Sequence, residues 1–202
     1  MKKLLAFAAA AAAACFVALP ASAGIVSVTV QNVPGGTTPV ANPLADASTG
    51  TIFENVIGSE LDGIPPERRS PWEGTAFEAT GTYSSVQAHS TAHYTTMSST
   101  VLTLIWGSPD NGNSIVFDGG LGTVAGTTIV AALAGLIPPG TKGFGAVLVT
   151  IVVDAAFTGF TMKTNQDAFE YSNIEVPLPG AALLLLSGVA GLGFASRRKK
   201  AI

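Results

Sequence analysis

Ile25-Val26-Ser27-Val28-Thr29-Val30 alternates apolar and polar positions, the period of a half-buried β-strand. Pro34-Gly35-Gly36 breaks the alternation, and residues 31–50, rich in Pro, Gly, Thr and Asn, read as a long loop. Thr51 to Ile57 is a candidate strand, followed by a polar loop with Pro65-Pro66 and the interior's one basic pair, Arg68-Arg69. β-branched and aromatic residues return from Gly81 in TYSSVQAH, STAHYTTM and Thr100 to Trp106. Gly107 to Asn113 is a dense turn signal containing Asn-Gly, the strongest short hairpin dipeptide, and Ser114 to Phe117 follows as a strand. Thr128 to Leu136 fits a short helix or a strand equally well. Phe144 to Val153 is too short to span a membrane and suits a buried strand. Phe157 to Lys163 and Ala168 to Val176 complete the series. Many short strands with Gly/Pro-rich turns predict an all-β domain over 24–175, an antiparallel β-sandwich or jelly roll, and about 150 residues suffice for one such core.

The two ends follow different patterns. In residues 1–23, Lys2 and Lys3 precede an Ala-rich apolar run from Leu4 to Leu19, and Ala21-Ser22-Ala23 supplies a small-x-small cleavage pattern. The expectation is a helical signal peptide cut between Ala23 and Gly24, which requires the Sec translocon and signal peptidase. Lipidation of Cys15 is the rival outcome, since Ala12-Ala13-Ala14-Cys15 loosely resembles a lipobox. At the other end, Gly180 to Ser196 carries no charge over 17 residues and is followed by Arg197-Arg198-Lys199-Lys200. As a helix this run spans about 25 Å at about 1.5 Å per residue, and snorkelling basic stems make up the difference to a bilayer core. The basic quartet stays cytoplasmic, so the preceding domain lies outside. Pro177 and Pro179 block helix propagation upstream and hold the junction extended.

Composition sharpens this division. Six of the ten Lys and Arg lie at the extreme ends. The interior from Gly24 to Glu175 holds four bases against thirteen acids, a formal net charge of −9, while the whole chain carries −3. An acidic domain repels phosphate backbones, which argues against nucleic-acid binding. The single cysteine, Cys15, falls in the expected leader. The exported part therefore has no disulfide framework, Cys nucleophile or thiolate metal site.

Val176-Pro177-Leu178-Pro179-Gly180, the Leu/Gly-rich apolar run 180–196 and the basic tail 197–200 together resemble a PEP-CTERM sorting signal in its VPLPA variant, with Gly180 in place of the usual Ala. That resemblance implies recognition by an exosortase, a multi-pass membrane enzyme that processes the protein during surface delivery, so that 176–202 serves as a sorting signal and transient anchor. LTLIWGSPDNGNSIVF and DAFEYSNIEV also resemble a family of exosortase-dependent surface proteins, over residues 65–176. Its motif falls here on Trp106, Gly107, Ser108, Asp110 and Asn113. The family is defined by sorting, so the resemblance implies an address and a fold and no reaction.

Several patterns invite chemistry. His89 and His93 are four apart, a metal-binding spacing on a helix, but their neighbours favour a strand, where that spacing separates them by about 13 Å. Gly120-Leu121-Gly122-Thr123-Val124-Ala125 fits a dinucleotide-binding GxGxxA, but no acid occurs between Asp118 and Asp154 to hold a ribose. Asp110, Asn111, Asn113 and Asp118 gather oxygens as a calcium loop does, without EF-hand spacing, and the same residues are ordinary turn formers. Glu54, Glu67, Glu73, Glu78 and Asp154 are candidates for paired-carboxylate hydrolysis, with no GxSxG motif beside them. Trp72 and Trp106 could stack on sugar rings or fill the core. The reading is a non-catalytic surface or matrix protein needing no cofactor. A carbohydrate-binding module for exopolysaccharide and a secreted hydrolase are the alternatives.

Overall fold

The computed structural model describes residues 15–17, 24–61, 67–134, 145–166 and 168–177. Ten strands form one antiparallel sheet: β1 (Cys15–Val17), β2 (Ile25–Asn32), β3 (Ala47–Thr49), β4 (Ile52–Ile57), β5 (Thr82–Val86), β6 (Thr91–Gly107), β7 (Asn113–Phe117), β8 (Thr123–Ala125), β9 (Val147–Thr164) and β10 (Phe169–Glu175). Their spatial order is β1-β2-β9-β6-β10-β5-β4, with β3 on β6 and the β7–β8 hairpin on β9. The expectation of an all-β domain holds in this form, with hydrogen bonds joining all the strands into one curled sheet.

Two long strands organise it. β6 and β9 pair twice, Thr91–Thr95 against Gly159–Lys163 and Val101–Trp106 against Val147–Val152, with register shifts between the two zones around Ser99. In the first zone β3 flanks β6 and β7 flanks β9. In the second, β10 flanks β6 and β2 flanks β9. The shifts mark bulges, and bulges bend a sheet and increase its twist. Here the bend brings the faces of the two zones together over one core. Tyr94 stacks on Phe160 within the first zone and packs edge-on against Tyr171 of β10. Phe117, Phe157 and Phe160 continue the aromatic cluster. Leu102, Leu104, Val149 and Ile151 are wholly buried beside it.

The ambiguous run at 128–136 contributes a helix, α1 (Gly126–Leu133), whose Ile129, Ala132 and Leu133 enter the core. The long loop was expected to be irregular, and most of it is, but three asparagine side chains fix its course. Asn42, nearly buried, donates through Nδ2 to the Tyr171 carbonyl (3.0 Å) and Ser84 Oγ (3.1 Å), and its Oδ1 accepts from the Ile174 amide (3.1 Å). Asn55 exchanges two bonds with the Asn42 backbone, and Asn173 accepts from Val40 and donates to Thr38. Asn55 and Asn173 both hold positive φ (51° each) at bulges in β4 and β10, a conformation asparagine tolerates better than most residues.

Cys15–Val17 form a strand, pairing antiparallel with Val28–Val30 on the outer edge of β2, where a signal-peptide helix was expected. The rest of the expected leader, the apolar run 180–196 and the basic tail 197–200 lie outside the described residues, as do Leu178 to Gly180 of the proline motif. No helix among the described residues is long and apolar enough to cross a membrane.

Candidate functional site

The expected site residues disperse. Trp106 is fully buried and stacks on Phe169 at 4.3 Å between ring centroids. Trp72 is also buried, within consecutive turns at 71–80, and donates its indole N–H to the Thr82 carbonyl at 3.0 Å. Gly81 makes room for it, since a Cβ there would stand 2.5 Å from the indole ring. Trp106 offers no face to a sugar, while Trp72 keeps 3% of its surface exposed and lines a cavity of about 540 Å³ with Pro71 and Phe77. His89 lies in the turn before β6 and not on a strand, with φ at 58°, while His93 on β6 pairs through Nε2 with Asp118 Oδ2 at 3.0 Å. That pairing removes Asp118 from the calcium-loop set. Gly120 to Ala125 runs through a turn into β8 of the β7–β8 hairpin, so the strand–turn–helix of a dinucleotide site is not formed. Among the described residues no group of three or more His, Cys, Asp or Glu is arranged to hold a metal ion.

Glu54 accepts from the Ala45 amide, Glu78 from the Gly74 amide, and Glu73 pairs with Arg69. Asp154 sits mid-β9, where its amide donates to the Gly24 carbonyl at 2.7 Å. Of the five carboxylates considered for hydrolysis, Glu67 alone lines the cleft described next.

That cleft, about 560 Å³, opens beside the end of β10. Its wall includes Arg68, Arg69, Gln87, Ser108, Asp110 and Glu170. Glu170 is 3% exposed, and its Oε1 accepts the Arg69 amide at 2.9 Å. Burial is the main cause that pushes its carboxyl up to about 8, with the Asp110 charge adding to it. The carboxyl is therefore mostly protonated at neutral pH. Arg68 pairs with Glu60 and lies over the Phe53 ring at 4.5 Å, and Arg69 Nε pairs with Glu73 Oε2 at 3.0 Å.

The WGSxD-type motif builds one wall. Gly107 passes close behind Pro71 and Glu170, where a Cβ would meet Pro71 Cγ at 2.8 Å. Ser108 lines the cleft with φ at 43°, a left-handed conformation unusual for serine. Asp110 closes the turn: Oδ1 accepts from Gly112 N (2.7 Å) and Oδ2 from Asn113 Nδ2 (2.9 Å). Asn113 is buried and also reaches the Ala168 carbonyl at 3.4 Å. The motif thus divides into a core aromatic, a close-approach glycine and a cross-braced turn, and that division places Ser108 and Asp110 beside Glu170.

Chemically, the cleft offers a carboxylic acid that can donate and accept hydrogen bonds, beside amides, a hydroxyl and matched ion pairs. Sequence reasoning missed Glu170. The available signal was a lone charge inside an aromatic strand, Phe169-Glu170-Tyr171, facing the Trp-Gly end of β6. No protein-family model, curated protein or solved structure matches this chain.

Proposed function

We propose that the chain is an exported, non-catalytic surface or extracellular-matrix protein, delivered by the Sec translocon, cut by signal peptidase between Ala23 and Gly24, and processed by an exosortase through Val176 to Gly180. The tail 180–200 anchors it transiently in the membrane, with the basic quartet cytoplasmic. The curled sheet acts as a jelly-roll-like or sandwich-like display domain at the cell surface.

One observation supports this reading. Both expected processing points fall at strand ends, since β2 starts at Ile25, one residue after Gly24, and β10 ends at Glu175, one residue before Val176. The Gly24 carbonyl accepts the Asp154 amide. Removing 1–23 takes β1 from the edge of β2 but leaves β2's pairing with β9 intact from Ile25 to Asn32. Proline lacks a backbone N–H and disfavours helix in the residue before it, so the Val176 to Gly180 sequence suits presentation of an extended backbone to a membrane-embedded enzyme.

Expression in an exosortase-bearing bacterium tests it. The mature protein should start at Gly24 by N-terminal sequencing; a lipidated Cys15 start refutes the leader assignment. Replacing Pro177 and Pro179 with Ala should extend the helix outward and leave uncleaved protein in the membrane fraction. Wild-type mass and yield at the surface from that double variant would leave the tail a plain membrane anchor.

A further inference from the structure

We propose that the cleft walled by Arg68, Arg69, Gln87, Ser108 and Glu170 is a binding site for an uncharged, hydroxyl-rich ligand, a sugar residue, with the Glu170 carboxyl group as its hydrogen-bond anchor. This goes beyond the sorting reading and does not depend on it, because binding by the purified chain is measured whether or not the tail is processed.

The volume, about 560 Å³, lies in the range of small-molecule sites, roughly 300–1,000 Å³. Glu170 is the observation that asks for a ligand. It is 3% exposed, forms no ion pair among the described residues, and has one oxygen fixed by the Arg69 amide. A buried carboxyl without an opposite charge costs stability, and the one bond to the Arg69 amide leaves its second oxygen open to a ligand. Protonated, it donates through one oxygen while accepting through the other, which suits a hydroxyl partner.

The surrounding charges select against an ionic ligand. Arg68 is taken by Glu60 and Arg69 by Glu73. The Asp110 carboxylate is engaged by Gly112 and Asn113. With Glu67 also on the wall, the cleft carries no surplus positive charge to hold an anion. The remaining polar groups, Gln87, Gln166 and Ser108, are uncharged and bond in both directions, as sugar recognition needs. A second, independent sign is the left-handed Ser108, since such backbone strain concentrates at ligand sites. Both tryptophans are buried, so recognition here rests on hydrogen bonds and not on stacking.

The full-length chain, held in a detergent without a sugar headgroup, is titrated with methyl glycosides of glucose, galactose and mannose and with N-acetylglucosamine. Galacturonate and choline serve as the charged controls, and the readouts are saturation-transfer NMR and calorimetry. At least one neutral glycoside should bind. Glu170→Ala should weaken it by about tenfold or more, the loss of one buried hydrogen-bond partner. Glu170→Gln should hold it within about threefold, and should abolish the weakening that the native protein shows as pH rises past about 8. Should Glu170→Ala not fold by circular dichroism, the double variant Gln87→Ala/Gln166→Ala carries the test and should also weaken binding. Failure of the whole neutral panel, binding of galacturonate or choline alone, or native affinity in Glu170→Ala or in Gln87→Ala/Gln166→Ala overturns the proposal.

Discussion

The hydroxyls of Tyr94 and Tyr171 meet at 2.6 Å in the middle of the core, with their rings nearly perpendicular. The two residues come from different zones of the sheet, so this bond measures how closely the curled sheet closes on itself. Removing the Tyr94 hydroxyl takes away the side-chain partner of Tyr171, removing the Tyr171 hydroxyl leaves Tyr94 only its contact with Ser84, and removing both ends the coupling. Tyr94→Phe and Tyr171→Phe should each cost about 1–2 kcal/mol, and the double variant less than their sum. Urea unfolding of the four proteins gives the cycle, and strict additivity would mean that the hydroxyls are not coupled. Burial also pushes Tyr83 and Tyr94 up to about 12 and Tyr171 well above the usual tyrosine range. All three tyrosines of the chain are thereby affected. Ultraviolet titration should show no tyrosinate near pH 10 until the fold is lost.

Glu170 makes stability depend on pH in the opposite sense to a salt-bridged carboxylate. Its folded pKa, about 8, lies above the ordinary 4.5, so the folded state holds the proton more tightly than the unfolded chain. The contribution is fully present below about 4.5 and is lost as pH rises to about 8. Across that window the loss approaches about 1.4 kcal/mol per pH unit. Glu170→Gln should flatten this dependence and unfold at higher urea than the native protein at pH 8. Parallel urea midpoints for the two proteins between pH 5 and pH 8 would contradict the buried acid.

Asn42 holds the long loop to β5 and β10 through three side-chain bonds. Asn42→Ala takes a side-chain partner from the Tyr171 carbonyl and the Ile174 amide in a nearly dry setting, while Ser84 Oγ keeps the Asn55 amide at 3.4 Å. The expected cost is about 2–4 kcal/mol, with faster amide exchange at Val40 and Asn42. Exchange rates unchanged from the native protein would show that the loop is fixed by other contacts.

Trp72 belongs to the same structural class as the asparagines, because its indole fills space under Gly81 and caps the Thr82 carbonyl. Trp72→Ala should destabilise the fold by about 3–5 kcal/mol. Any sugar binding should survive in the fraction that remains folded. Selective loss of binding at full stability would restore a stacking role to Trp72.

Most strands were legible because their alternation is local. Ile25–Val30 and Ser114–Phe117 fall inside β2 and β7, and Thr51–Ile57 matches β4 to one residue. The continuity of β6 and β9 was not legible. Each was read as two strands, because the residues around Ser99 and Ala155 lose the apolar alternation where the sheet bends. β10 hid its site for a related reason. The curl covers both faces of Phe169 to Asn173, so period-2 logic cannot tell which residue faces a cavity. The role of Asp110 could be read only as turn or ligand from sequence, and its two short hydrogen bonds decide for the turn.

The order in which the strands are made also matters for assembly. β2 is synthesised early, yet its main partner, β9, is the second-last strand, and β9 also pairs with β6 and β7. Until β9 emerges, β2, β6 and β7 lack their shared neighbour, and such non-local pairing makes folding slow. The emerging chain therefore cannot complete its sheet until nearly the whole domain has been made. β9 then acts as the keystone that turns a loose string of hairpins into one cooperative body.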